Sequence, residues 1–287
     1  MAKKKLFVIY LLITCVAIST IIIYISLSDN HTTTFLKQEA PRPEDEPTNI
    51  SHILFGISAS VKTFPTRHHY IDLWWQSNVT RGFLWLEHEP YQNDTWPETS
   101  PPYKVSGNTS SFRYTGGPPK SRHQIRMARV VKESFELGLE NVRWFVMGDD
   151  DTVFFPENLV SVLSKYDHNE MYYIGGNSEC VIQNLRHSYK LAFGGAGVAI
   201  SYPLAMVLAK ELDGCIERYA HLYGSSERIQ SCVSEIGVPL TQELGFHQVF
   251  KKLSTHNYKE ARDRQPYWQT GDFKFLAGWS SVILKES

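Results

Sequence analysis

The strongest constraint on how this chain can fold is an apolar run that ends in three consecutive carboxylates. Residues 144 to 155 read Trp144-Phe145-Val146-Met147-Gly148-Asp149-Asp150-Asp151-Thr152-Val153-Phe154-Phe155. A run apolar on both faces belongs in the interior of a sheet, whereas charges placed directly after it must sit at the strand's end, where water or a ligand can reach them. Neighbouring carboxylates repel by about 1 kcal/mol per close pair even in water, so a bound cation is a natural relief. The plainer reading is an Asp-rich turn ahead of the helix that Pro156 opens.

The pattern around this run alternates strands with helices. His52 to Ser58 and Phe83 to Leu86 have the character of short buried strands, with a helix over Arg67 to Gln76 between them. A polar, Pro-rich passage from Glu87 to Lys120 follows. Ser121 to Leu137 then carries Ile125, Ala128, Val131 and Phe135 at helical spacing and stops at Gly138. After the acidic cluster come a helix from Pro156 through Lys165, a strand over Met171 to Ile174, and a helix from Pro203 to Leu212 stopped by Gly214. This order predicts an α/β fold, a mostly parallel sheet flanked by helices with its site at the C-terminal ends of the strands.

Lys3, Lys4 and Lys5 precede an uncharged stretch, Leu6 to Leu27, long enough to cross a bilayer. No small-residue cleavage site follows it, so the reading is a retained single-pass anchor with the basic end cytosolic and the C-terminal bulk in the lumen. The expected organisation is a cytosolic tail (1–5), an anchor (6–27), a Pro-rich polar stalk (28–50), one folded domain (51–250) and a tail (251–287). Five glycosylation sequons, at Asn30, Asn49, Asn78, Asn93 and Asn108, all lie beyond the anchor, in keeping with that orientation. Twenty-nine basic residues against thirty acidic ones leave a formal net charge of −1, and with no basic stripe a nucleic-acid partner is not expected.

Cys180, Cys215 and Cys232 fall in the lumenal part, where disulfides persist. Ile229, Cys232, Val233 and Ile236 share one helical face, and a Cys215–Cys232 bridge would hold that helix to the preceding segment; two separate buried thiols are the alternative. Cys180 is left unpaired on the first reading. Trp74 and Trp75, beside Leu73, read as core residues.

The Asp149-Asp150-Asp151 strand, Phe193-Gly194-Gly195-Ala196-Gly197, Gly237-Val238-Pro239-Leu240-Thr241 and Gly245-Phe246-His247-Gln248 together resemble the plant Fringe-related glycosyltransferases. These are relatives of the β-1,3-glycosyltransferases that include animal Fringe and the core galactosyltransferases, and the resemblance runs from about His52 to Gln248. It implies a GT-A fold that binds a UDP-sugar through a divalent cation, usually Mn²⁺, on Asp149 and Asp151. It further implies inverting transfer to a hydroxyl of a glycan or glycoprotein. Asp149 and Asp150, with Arg126 as a phosphate partner, would contact the nucleotide, and Gly194, Gly195 and Gly197 would let the backbone approach the ligand closely. Arg126 as a solvated helix residue and the glycines as a mere tight turn are the plainer alternatives. A Golgi membrane location is also expected from the family, with the type II orientation taken from the anchor; homodimers are common among lumenal transferases, and nothing in the sequence demonstrates one here.

Two departures from the family pattern bear on activity. Where the family shows Gly-Ser-Asp, this chain reads Gly224-Ser225-Ser226-Glu227, so the expected general base is replaced by Ser226, with Glu227 as the candidate substitute. Ser226 as a helix N-cap and Glu227 in the first helical turn explain the same residues without catalysis. Residues 251–287 lack the His-His stretch of the family and read as an atypical, truncated tail, which leaves His247 as the nearest substitute metal ligand. The corresponding alternative function is a catalytically impaired relative that binds a nucleotide sugar or a partner without turnover.

Overall fold

A computed structural model describes residues 46–91, 96–113, 122–178, 180–248 and 281–283. The anchor, the sequons at Asn30 and Asn93, and most of the tail lie outside these residues. The chain divides into two units, and the second begins at Thr48. No helix among the described residues is long and apolar enough to cross a membrane.

Seven strands form the main sheet in the order β3-β2-β1-β4-β7-β6-β8. They are β1 (Ile53–Ser58), β2 (Arg81–Leu86), β3 (Tyr103–Val105), β4 (Trp144–Asp149), β6 (Tyr173–Gly175), β7 (Val198–Ser201) and β8 (Leu240–Gln242). β1 pairs in parallel with β2 and with β4, β2 with β3, and β6 with β8, while β7 runs antiparallel to both β4 and β6. The sheet is therefore mixed: largely parallel, as the strand and helix alternation predicts, with one reversed strand that the sequence pattern did not separate. A second sheet joins β5 (Thr152–Phe154), β10 (Ser281–Ile283) and β9 (Phe246–His247). Three tail residues thus pair, through their backbone, with the strand directly after the acidic cluster.

Strand periodicity divides the core between the two faces of the sheet. Ile53, Phe55 and Ile57 of β1 point with Trp144 and Val146 into a cluster completed by α1 (Phe64–Asp72) and α3 (Pro156–Leu163). Leu54 and Phe145 point the other way, against Ile125, Ala128 and Val131 of α2 (Arg122–Phe135), Leu204 and Leu208 of α5 (Tyr202–Arg218), and Cys232 and Val233 of α6 (Ser225–Ile236). Trp74 is buried beside Phe55 and Phe154, and its indole N–H donates to the Thr152 carbonyl at 3.2 Å, which pins the segment that follows the acidic triplet.

The expected stop of α5 at Gly214 is overturned, since the helix continues to Arg218. Gly214 costs a helix interior about 1 kcal/mol, but the extra turn buries Cys215 and Ile216, and Cys215 is bridged to Cys232. Cys180 is free. The fully buried Arg228 of α6 donates to the carbonyls of Ile216, Ala220 and Leu222, and so ties the end of α5 to the start of α6. That clamp sets the position of Ser225, Ser226 and Glu227.

Candidate active site

Parallel strands bring their C-terminal ends to one edge of the sheet, and the register aligns Ser58 at the end of β1 with Asp149 at the end of β4. A cavity of about 1060 Å³ opens there. Ser58 and Ser60 at and just after the end of β1, Glu87 after β2, and Asp149, Asp150 and Asp151 at and just after the end of β4 all line it. Because β7 is reversed, the glycine turn that precedes it reaches the same edge, and Gly195 also lines the cavity. The strand ends where the sequence places a site thus open onto this cavity.

Arg67 balances the triplet, a role that sequence reasoning did not assign to it. Its guanidinium donates to Asp150 Oδ1 at 2.7 Å and lies 3.5 Å from Asp151 Oδ2, while the Thr63 hydroxyl donates to Asp150 Oδ2 at 3.0 Å. Thr63 occupies the N-cap of α1 but makes no capping bond, its side chain being turned to Asp150 instead. Burial alone would lower the Arg67 pKa, but the hydrogen bond to Asp150 and the charges of Asp150, Asp151 and Asp149 outweigh it and hold the group above its ordinary value. Sequence spacing hid this pair, because Arg67 and Asp150 are 83 positions apart. The only signal available was an Arg near the start of the helix that follows β1.

Thr152 couples the triplet to the glycine turn. Its hydroxyl accepts the Asp149 N–H and donates to the Gly195 carbonyl, both at 2.9 Å. Gly194 N–H in turn donates to Ser226 Oγ at 2.9 Å, so this amide is engaged within the protein, and a Cβ on Gly194 would meet that same oxygen at 3.1 Å. Gly197 does not line the cavity; its φ of 86° sets the entry into β7. Of the three glycines expected at the ligand, Gly195 is the one on the wall.

Ser226 and Glu227 both fall in the first turn of one helix. Helix α6 begins at Ser225 with Gly224 as its N-cap, so Ser226 is inside the first turn and does not cap it. Ser226 faces the cavity. Glu227 turns back to accept the Gly224 N–H at 2.8 Å through Oε2, and its Oε1 meets His187 Nδ1 at 2.8 Å. Both oxygens of Glu227 are thus engaged, whereas His187, at the end of α4 (Val181–His187), lines the cavity.

Arg126 lines the cavity but is deeply buried. Its guanidinium donates to the Trp85 carbonyl at 2.6 Å and to His123 Nδ1 at 2.9 Å, with Glu87 3.9 Å away. Burial lowers the Arg126 pKa, and burial together with the Arg126 charge lowers that of His123. For Glu87, burial raises the carboxyl pKa, but hydrogen bonds from Ser60 and the Val61 N–H together with the Arg126 charge outweigh it and hold the group below the ordinary value. His247, expected as a metal ligand, is buried in β9 and does not line the cavity; strand alternation gives that place to Gln248.

Among the described residues no group of three or more His, Cys, Asp or Glu side chains forms a ready metal cage. The wall nevertheless suits a hard divalent ion of the kind held by one or two carboxylates plus substrate phosphates, because its donors there are carboxylate oxygens. One guanidinium stands against three carboxylates at that point, while Lys62 and Arg122 lie elsewhere on the wall, where an anionic ligand would meet them.

A family of proteins of unknown function, DUF604, matches residues 183–255, which run from within α4 through the glycine turn, β7, α5, α6 and β8 past β9. The chain is 24% identical over 236 residues to β-1,3-N-acetylglucosaminyltransferase lunatic fringe of Xenopus laevis, and 23% identical over 235 residues to lunatic fringe of Danio rerio. Each match covers 75% of this chain and 58% of the relative, so the chain spans somewhat more than half the length of the curated relatives it matches. Mouse xyloside xylosyltransferase 1 superposes with a TM-score of 0.44 at 8% identity, over 81% of this chain and 96% of that one. By sequence, this chain is similar to the Fringe-related β-1,3-glycosyltransferases, as the motifs of β4, the glycine turn and β9 imply.

Proposed function

We propose that the chain is an inverting, Mn²⁺-dependent glycosyltransferase of β-1,3 type, with a GT-A fold, that transfers a sugar from a UDP-sugar to a hydroxyl of a glycan or glycoprotein. In this proposal it works as a single-pass type II protein of the Golgi membrane, anchored by residues 6–27. The observation that carries the reading is the acidic triplet at the end of β4, which faces a cavity of about 1060 Å³ across from the glycine turn. The similarity to lunatic fringe over three quarters of the chain supports the reaction class.

Asp149 and Asp151 would hold the cation, which when bound supplies charge neutralisation for the departing diphosphate. Arg67 keeps Asp150 and Asp151 in place before any ligand arrives, and the Thr152 bridge fixes Asp149 relative to Gly195. Arg122 and Lys62 on the wall offer charge to a diphosphate, while Arg126 is committed to the Trp85 carbonyl and His123, which makes it a support of that wall.

Thermal melting of the full-length protein with UDP tests the reading. Mn²⁺ and UDP together should raise the melting temperature more than either alone, and Asp151→Asn should remove the synergy. A melting temperature indifferent to UDP with Mn²⁺ would defeat the proposal.

A further inference from the structure

We propose that His187 is the base that takes the acceptor's proton in this chain, and that Glu227 is its positioning residue. The assignment rests on the transferase reading above. It answers the question raised by Ser226, whose hydroxyl accepts from Gly194 N–H and has no basicity suited to the task.

Glu227 holds the imidazole in one orientation. Its Oε1 lies 2.8 Å from His187 Nδ1, and its Oε2 is fixed by the Gly224 N–H at 2.8 Å, so the carboxylate cannot swing away without uncapping α6. A carboxylate only accepts hydrogen bonds; Nδ1 therefore carries a proton, and in the neutral imidazole Nε2 keeps its lone pair. The imidazole is 26% exposed and lines the cavity alongside Gln183, Ser226 and Gly195, with the Phe193 ring set edge-on at 6.1 Å.

The other groups on the wall are poorer choices, each for a stated reason. His123 accepts from Arg126 at Nδ1, so in its neutral form Nε2 bears the proton and can only donate. Glu87 is engaged by Ser60 and Val61 and held below the ordinary carboxyl range, which weakens it as a base. Asp150 and Asp151 are tied to Arg67. His187 combines the right tautomer with a place on the cavity wall.

In the step, the acceptor O–H gives its proton to His187 Nε2 while its oxygen bonds to the anomeric carbon. The bond from that carbon to the phosphate oxygen breaks, and its electron pair leaves with the nucleoside diphosphate. The imidazolium that forms is stabilised by Glu227 and later returns its proton to water. This is the carboxylate–imidazole arrangement in which an acid residue fixes the tautomer and offsets the charge.

The test uses full-length protein carrying ¹⁵N-histidine and a His187→Asn variant, whose side-chain amide can still donate to Glu227. The ¹⁵N shifts of His187, identified by their loss in the variant, should show Nδ1 protonated and Nε2 bare. His187→Asn should lower kcat by about 10²–10⁴-fold, the usual worth of a positioned base, with UDP binding and melting temperature unchanged. Adding Ser226→Asp to that variant should restore part of the turnover. An Nε2–H tautomer, or a His187→Asn protein as active as wild type, overturns the assignment and leaves the transferase reading standing. A wild-type protein that turns over no donor overturns both.

Discussion

Arg67→Met removes the guanidinium that stands between Asp150 and Asp151, and its consequences divide into two opposed effects. The carboxylates are 5% and 6% exposed, and the guanidinium lies 2.7 and 3.5 Å from them. Deleting one partner of a fully buried ion pair costs about 3–5 kcal/mol. The Arg67 side chain is 36% exposed, so water screens part of the interaction, and the expected loss is about 1–2 kcal/mol. The same change removes a unit charge beside the proposed cation site. At a separation of roughly 5 Å and a water-like dielectric, that charge opposes a divalent ion by about 1.7 kcal/mol, or roughly 15- to 20-fold in affinity. Urea denaturation without metal should therefore show a less stable variant, while Mn²⁺ titration followed by melting temperature should show tighter binding than in wild type. A variant of wild-type stability whose Mn²⁺ affinity is unchanged or weaker would refute the view that Arg67 and the cation share the triplet.

Other perturbations probe the supports of the site. Thr152→Val should leave the Asp149 N–H and the Gly195 carbonyl without their buried partner, destabilise the fold by about 1–3 kcal/mol and weaken UDP binding with Mn²⁺; unchanged stability and binding would remove Thr152 as the link. Reducing the Cys215–Cys232 bridge, which spans 17 residues, should lower urea stability by about 3 kcal/mol, and a loss under 1 kcal/mol would show that the α5–α6 unit is held by packing and Arg228 alone. The folded-state pKa of His123 is depressed from 6.5 by burial and by Arg126, so its contribution to stability is present above that value and is lost as pH falls through the depressed pKa. Stability measured from pH 8 down to pH 5 should accordingly fall less in His123→Gln than in wild type, and parallel curves would deny His123 this role. Ala in place of Gly82 would put its Cβ 2.5 Å from the Phe55 carbonyl oxygen in the neighbouring strand, so the variant should lose soluble yield where conservative changes nearby do not.

Local patterns in the sequence carried much of the fold. The two-sided apolar character of residues 144–148 marked β4 as an interior strand, the 3.6-residue spacing of Ile125, Ala128 and Val131 marked α2, and the shared face of Cys232 and Val233 marked α6. What was illegible depends on contacts distant along the chain. Nothing local distinguishes the reversed β7 from a parallel strand, and Gly214 reads as a helix stop until Cys215 and Ile216 are seen to be buried. At the site, the triplet and Gly195 are visible in sequence because they are consecutive or motif-borne. Arg67, Thr63 and His187 are not, since their roles arise from partners 83, 87 and 40 positions away. Glu227 shows the same limit in another form: a carboxylate at the right position reads as a base until its two oxygens are found engaged by Gly224 and His187.

The central claim is that the acidic triplet and the cavity it faces form the donor site of a sugar transferase. Its most direct test is UDP release by the full-length protein with Mn²⁺ across a panel of UDP-sugars, with and without glycan acceptors, alongside Asp151→Asn. The account predicts Mn²⁺-dependent release and transfer from at least one donor, abolished in the variant. Turnover that persists in Asp151→Asn, or a wild-type protein that binds no UDP with Mn²⁺ and releases none, would contradict it.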